Sequence, residues 1–380
     1  MAFSNNHKTK IIAAIAADNM DYVKKSKSYL PQSQREGMKY GQSYTVYIPD
    51  PGKVVDGLVA APDTINEVEY TVTCENKNTS VELDVWNKLN DIESFTKEVA
   101  KPKAQKLARQ VQKDVIDKTA FESAQTIVGD ANFNTLTNAA AALEEAACAG
   151  DFVTFTSPTV HGRIAATGLA NYIPDEIQKK IYGKNYLGEY AGCSQIDLSN
   201  MPEIKIAGNE TLSVTLTSAD GGFAPVSTGT VTNIQKNAPF VADGLFLVDV
   251  NGIETDIPYV VSVDKDGKFP ELRITEQGKA YGNPNAWVAK GTSTLTFTLA
   301  APAGTYSVGV AREADALAWD TYKFTDLPGS ENSTETVDGV SIKLSQYGNG
   351  EKMTSLARLD MPYATGVPDA RRQVTVLFKK

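Results

Sequence analysis

Alternation of apolar and polar positions appears first between residues 41 and 75. Tyr44, Val46 and Ile48 share one face of the first run, and Val68, Tyr70 and Val72 share one face of the second. A period of two predicts strands. Pro49-Asp50-Pro51-Gly52 and then residues 54–64 lie between them, so the two runs predict a long hairpin with a loose tip. A hairpin of two strands cannot bury both its faces alone and needs a partner surface. The period changes over 91–128. Ala104, Leu107, Ala108, Val111 and Val115 recur at helical spacing, with Lys106, Arg109 and Lys113 on the opposite face. Pro102 marks a first turn or a kink. A helix over 102–128 would run about 40 Å, long for a globular protein.

Residues 132–149 predict a second, Ala-rich helix with Phe133, Leu136, Ala140 and Leu143 on one stripe, ended by Gly150. A short apolar strand follows over 151–156. Ser157-Pro158 then pairs an N-cap with proline at the first helical position, which predicts a helix to about Ala170; a shorter one follows Pro174. Over 204–309 the helical period is lost. Leu212, Val214 and Leu216 alternate with Ser and Thr, as do Leu295, Phe297 and Leu299. Turn dipeptides recur at Asp220-Gly221, Asp243-Gly244, Asn251-Gly252 and Asp266-Gly267. This reads as an all-β module of domain length. The tail, 308–380, returns to longer strands, with Val340, Ile342 and Leu344 alternating with Ser341, Lys343 and Ser345. Flanked on both sides by α/β sequence, the β module reads as an insertion into a host.

Residues 1–40 are polar, with basic spots at Lys24, Lys25 and Lys27 and an interruption at Pro31. They predict an extended arm with a short helix rather than a core. Lys8 and Lys10 precede a short apolar run, 11–17, that makes a poor signal peptide. No other stretch is long and apolar enough to span a membrane.

Composition narrows the function. The 380 residues suit about two or three domains. A net charge of -9 argues against a protein that coats nucleic acid over most of its surface. Cys74, Cys148 and Cys193 are scattered, without zinc spacing or a C-x-x-C, and read as free buried thiols. The two histidines, His7 and His161, leave only His161 for a Ser-His or Cys-His catalyst, and neither a nucleophile elbow nor a reactive-cysteine motif accompanies it. Asp264, Asp266 and Gly267 place the glycine too early for a calcium loop. Gly348-Asn349-Gly350-Glu351-Lys352 precedes a strand and not a helix, so it reads as a turn and not a phosphate loop. No catalytic, cofactor or metal residue is expected, and the chain is not expected to be an enzyme. The basic stripe Lys106, Arg109, Lys113 is the one electrostatic feature kept, as a solvated face or a weak contact with nucleic acid or an acidic neighbour.

The order of elements carries a resemblance. Phe133-x-x-Leu136 through Gly150-Asp151-Phe152 to Ser157-Pro158, then Ile181-Tyr182-Gly183, Gly188-Glu189-Tyr190-Ala191-Gly192, Ile196 and Met201-Pro202, resemble the axial core of tailed-bacteriophage major capsid proteins. Val308-Gly309-Val310, Asp315-Ala316-Leu317, residues 338–342, Arg358-Leu359-Asp360 and Ala370-Arg371 resemble that family's closing strands. The variety resembled is the short-tailed phage coat protein with an inserted β-barrel. The resemblance implies an α+β fold: an N-arm over 1–40, an extended hairpin over 41–90, a spine helix and peripheral domain over 91–130, an axial domain over 131–206, an inserted all-β domain over 207–307, and axial and peripheral strands over 308–380. It also implies self-assembly into hexamers and pentamers of an icosahedral procapsid and then virion, with scaffolding and portal proteins as partners, weak non-specific contact with packaged double-stranded DNA, and no membrane. Lys53 is the one loop lysine that family cross-linking would use; no partner can be assigned to it, so no cross-link is expected. The alternatives are an encapsulin-like nanocompartment shell and a bacterial surface β-rich protein.

Overall fold

The computed structural model describes residues 5–49, 67–84, 101–169 (except 121, 124, 147 and 149), 189–206 (except 191), 304–349 (except 324, 325, 327 and 328) and 354–380, with the strands between 212 and 299. The fold is a mixed α+β one. Helix α1 (Asn5–Ala17), single turns α2 (Asp21–Lys24) and α3 (Gln32–Arg35), strands β1 (Ser43–Pro49) and β2 (Glu67–Asp84), and helix α4 (Lys101–Thr119) open the chain. Strand β3 (Gln125–Gly129), α5 (Phe133–Glu145), β4 (Phe152–Thr156), α6 (Pro158–Leu169), β5 (Glu189–Tyr190), β6 (Cys193–Asp197) and β7 (Glu203–Ile206) follow. After the strands β8 to β15, between Leu212 and Leu299, come β16 (Gly304–Glu313), β17 (Ala318–Asp320), β18 (Glu331–Val337), β19 (Val340–Asn349), β20 (Thr354–Gly366) and β21 (Gln373–Lys379). The chain divides into two compact units: Met1–Val46, Tyr70–Thr119 and Leu317–Gly366 make the first, and Tyr47–Glu69, Ala120–Ala316 and Val367–Lys380 the second.

The first unit is built on a sheet ordered β1-β2-β20-β19-β18, with β17 also pairing β20. Cys74 opposite Ala364 and Asp84 opposite Thr354 fix the long β2–β20 ladder. Val337 and Val340 close the β18–β19 hairpin through Asp338 and Gly339, both at positive φ (47° and 76°). That is the backbone an Asp-Gly pair accepts and a tight hairpin turn requires. The apolar stripe predicted on α4, Ala104, Leu107, Ala108, Val111 and Val115, is buried, and Ile116 is buried with it. Val46 and Ile48, predicted to share a face of β1, are buried, as are Tyr70 and Val72 of β2.

Two expectations for this unit change. First, within the arm expected over 1–40, the described residues 5–40 are not apart from a core. Thr9, Ile12, Ala13 and Ala16 form a fully buried stripe of α1, which packs against α4, β18 and β19. Met20, Tyr22, Val23 and Leu30 continue it. The Tyr22 backbone N–H donates to Gln112 Oε1 (3.3 Å), and its hydroxyl meets that of Thr119 (3.2 Å). The buried stripe consists largely of small side chains, with Lys10 and Asp18 exposed between them, which gives the segment its polar average. Second, the helix expected over 102–128 ends at Thr119, so it spans about 28 Å. Beyond it, Gln125–Gly129 carries Thr126, Ile127 and Val128, whose branching suits a strand. Val374 opposite Gln125 starts its parallel ladder with β21.

The second unit holds a mixed sheet ordered β3-β21-β16-β4-β6-β5, with β7 also on β16. Helices α5 and α6 cover it through Leu136, Leu143, Val160 and Ile164, which pack on Phe152, Val374, Val376 and Phe378. Both helices start as predicted. Asn132 caps α5 by accepting from the Thr135 N–H (3.0 Å), and Ser157 Oγ accepts from the Val160 N–H (3.4 Å) ahead of Pro158. Gly309 admits no side chain: a Cβ there would lie 2.7 Å from Phe378 Cε2 and 3.2 Å from the Phe155 carbonyl oxygen.

Between Ile206 and Gly304 every described residue is in a strand. β8 (Leu212–Ser218), β11 (Gly244–Asn251), β12 (Pro258–Val263) and β15 (Gly291–Leu299) form one antiparallel sheet ordered β12-β11-β15-β8. β9 (Gly222–Pro225) pairs β14 (Asn285–Val288), and β10 (Gly229–Thr230) pairs β13 (Lys268–Phe269). Ile206 of β7 lies opposite Gly304 of β16, so residues 207–303 leave and rejoin the host sheet at adjacent positions. The hairpin tip with Lys53, the segment 170–188 with the helix expected after Pro174, and the Asp264–Gly267 turn lie outside the described residues.

Candidate functional site

Lys106, Arg109 and Lys113 all lie on the exposed face of α4, as their spacing predicts. The face is not uniformly basic. Lys101, Lys103, Lys106 and Arg109 occupy its N-terminal half, and the carboxylates Asp114 and Asp117 enter only in the second half. Asp114 pairs with Lys77 (2.8 Å) and accepts from Gln110 (2.9 Å). Burial raises Asp117 above the usual carboxylate range, Lys113 opposing. Lys101 and Lys103, in the first turn, work against the helix dipole. The helix holds through its buried face and in return presents a locally positive surface on an acidic chain.

Inside the first unit, charge is organised around two buried carboxylates. Asp320, at the end of β17, has a fully buried side chain. Its Oδ2 accepts from the backbone N–H groups of Tyr29 and Leu30 (3.1 Å each) and from the Tyr44 hydroxyl. Its Oδ1 accepts from the Ser28 hydroxyl and lies 3.7 Å from the Arg35 guanidinium, which also donates to Ser28. Burial first, then Asp320, pushes the Tyr44 phenol far up. Asp360, also buried, accepts from Arg358 (2.8 Å) and from Asn76 Nδ2 (2.9 Å). Lys343 is buried on β19 and pairs with Asp326 (2.9 Å).

In the second unit, Asp369 holds the Arg371 guanidinium (3.2 Å) and Arg372 holds Glu313. Arg372 also donates to the Asp315 carbonyl (3.4 Å). Burial lifts the Asp369 carboxyl to about 6, against the pull of the Arg371 N–H and Arg372 and with the push of Glu313. Cys148 is nearby, and burial raises its thiol to about 11; Cys74 is likewise raised to about 11. Thiols held there are protonated at neutral pH and make poor nucleophiles. All three cysteines are free. His161 is buried in α6. Among the described residues no three His, Cys, Asp or Glu side chains converge to hold a metal, and no helix is long and apolar enough to cross a membrane. Gly348 and Asn349 end β19, and Asn349 pairs Thr354 of β20; residues 350–353 lie outside the described residues. The sequence reading missed the Asp320 and Asp369 clusters, whose members lie as far as 292 residues apart.

No family model matches the sequence, and no curated protein matches it. Solved structures do. A structure named for Mycobacterium phage Che8 superposes at TM-score 0.47 with 10% identity, covering 93% of this chain and 89% of its own. The capsid of cyanophage P-SCSP1u gives 0.45 with 9% identity, covering 90% and 85%. The virus-like particle from Pyrococcus furiosus gives 0.40 with 10% identity, covering 97% of both chains. The structures similar to this chain are therefore chiefly those of phages and their capsids.

Proposed function

We propose that this chain is the major capsid protein of a tailed phage, a non-enzymatic subunit that self-assembles into hexamers and pentamers of an icosahedral head around double-stranded DNA. The observation that carries the reading is the order of elements. A long two-stranded hairpin leads into a 19-residue helix and then a mixed α/β sheet. An all-β stretch departs and returns between adjacent strands, and the closing strands β17 to β20 go back to the first sheet. That is the order which the sequence resemblance implies. In this reading the β1–β2 hairpin is the extended loop, α4 the spine helix, and residues 207–303 the inserted domain. The N-terminal half of α4 touches packaged DNA weakly, through Lys106 and Arg109. The acidic net charge keeps the rest of the surface from gripping DNA while it is packaged. Scaffolding and portal proteins are the expected partners, and the virion the expected location.

Electron microscopy of the purified full-length protein tests this. Closed shells of uniform diameter, or rings of six and five subunits, are the expected result. A protein that remains a monomer at high concentration, with and without co-expressed scaffold, refutes the proposal. Truncating residues 1–20 is a poor test of an arm, because the cut removes Ile12, Ala13, Ala16 and Met20 from the core of the first unit.

A further inference from the structure

Three segments meet at Asp320. The first is the strap between α1 and β1. Lys27 donates its N–H to the Leu317 carbonyl (2.9 Å) and accepts from the Trp319 N–H (3.0 Å), a single parallel bridge to β17. Farther on, the Lys323 N–H donates to the Arg35 carbonyl (3.1 Å). Between these two anchors, Ser28, Tyr29 and Leu30 turn their donors onto the one carboxylate. The second segment is the root of the hairpin, where Tyr44 of β1 donates its hydroxyl to Oδ2, the same oxygen that holds the Tyr29 and Leu30 amides. The third is β17 itself, which pairs β20 through Asp320 opposite Ala364. Around the charge, Tyr29, Met38 and Tyr44 pack on Val46, Tyr70, Val72, Cys74, Tyr322 and Ala364.

Such an arrangement is more than a local cap. A buried carboxylate is tolerable only while it is well supplied with donors. Here the donors come from two elements, the strap through Ser28, Tyr29 and Leu30 and β1 through Tyr44, which meet on the one carboxylate. If the strap lifts, the carboxylate loses two N–H groups, a hydroxyl and the nearby Arg35 guanidinium, and the remaining Tyr44 hydroxyl does not satisfy it. If the hairpin root moves, Oδ2 loses Tyr44, and the strap's amides are left to hold a less well compensated charge. Either departure makes the other more favourable.

We propose that Asp320 couples the N-terminal strap, residues 27–35, to the root of the β1–β2 hairpin, so that the two are fastened or released together. The coupling is a property of the folded first unit and does not require the capsid reading. If that reading holds, the carboxylate ties the posture of the hairpin to that of the strap within each subunit.

Hydrogen–deuterium exchange on the full-length protein tests it. Tyr44→Phe removes one hydroxyl and keeps the ring. Exchange of the Tyr29 and Leu30 amides should accelerate about tenfold, the size of one charge-assisted hydrogen bond passed on through a shared acceptor. Ser28→Ala, made in the strap, should accelerate the amides of β1 between Tyr44 and Ile48 by a similar factor. Amides of the β19–β20 ladder serve as the reference and should not change. The proposal is overturned if each substitution loosens only its own segment. Equal acceleration of all amides, reference included, overturns it too, since it marks general destabilisation. Neither readout depends on particle formation, so a failure of the capsid proposal would leave this result intact.

Discussion

Asp369 gives this protein a calculable response to pH. Its carboxyl is raised from 3.8 to about 6, chiefly by burial, with Glu313 adding repulsion and the Arg371 N–H and Arg372 opposing. The side chain is 12% exposed, so solvent screening removes little of the effect. At 1.36 kcal/mol per pH unit, keeping this group ionised in the fold at pH 7 costs about 3 kcal/mol. The folded-state value lies above the unfolded one, so the fold binds the proton more tightly than the unfolded chain does. Stability from this group is therefore complete below about pH 4, declines as pH rises towards 6, and stays at its lower level above that. Asp369→Asn keeps the shape and removes the titration. Urea denaturation of the wild type and of the variant between pH 4 and 7.5 reads the effect, because the titrations of groups not coupled to Asp369 cancel in the difference. The variant should gain about 2 to 3 kcal/mol relative to the wild type between pH 4 and pH 7, with the change confined to pH 4–6. A flat difference would refute the reasoning. A difference that falls with pH would show that Arg371 and Arg372 hold the carboxylate ionised and outweigh its burial.

Two further substitutions probe the core and the surface. Gly309→Ala pushes a methyl against Phe378 and the Phe155 carbonyl, and should cost about 1 to 3 kcal/mol by overpacking, read as a lower urea midpoint; an unchanged midpoint would mean that the β16–β21 layer is looser than described. Replacing Lys106, Arg109 and Lys113 together by Ala touches only exposed positions, so stability should move by about 0.5 kcal/mol or less per site. If the stripe contacts DNA, the slope of log affinity against log salt should fall by about 2 to 3 in magnitude; an unchanged slope assigns the stripe to solvent.

What could be read from the sequence, and what could not, follows from the range of the interactions concerned. Val46, Ile48, Tyr70 and Val72 of the hairpin, the buried stripe of α4 and the starts of α5 and α6 rest on local spacing, and the structure keeps them. The end of α4 was hidden because residues 120–128 continue plausibly as helix until β21 supplies a parallel neighbour for β3. The depth of burial in the closing strands was hidden for a different reason. Val340, Ile342 and Leu344 alternate with Ser341, Lys343 and Ser345, which reads as one wet face, yet all six are buried. Asp326 neutralises Lys343 from a distant loop, and Ser345 donates to Asn332 on the neighbouring strand. Asp320 and Asp369 carry no local signature at all. Their donors are assembled by the fold, and a lone Asp on a strand end looks the same whether it faces water or five donors.

The point where the β stretch leaves the host sheet permits a sharper test of modularity than expressing the stretch alone. Ile206 and Gly304 are already paired across an antiparallel ladder that runs to Glu203 and Ser307. A two-residue Asn-Gly turn can close such a ladder directly. Replacing residues 207–303 by Asn-Gly therefore asks whether the host needs anything the β stretch provides. Strand β16 keeps its other partners, β4 from Val310 to Glu313 and β21 from Tyr306 to Arg312, without calling on the excised residues. Shortening the closed loop from about a hundred residues to two also lowers its closure entropy, by up to about 3 kcal/mol were the long loop unstructured. The shortened chain should fold, with the β16–β21 amides as protected from exchange as in the parent. Loss of that protection would mean that the β stretch is part of the second unit's fold and not an insertion carried by it.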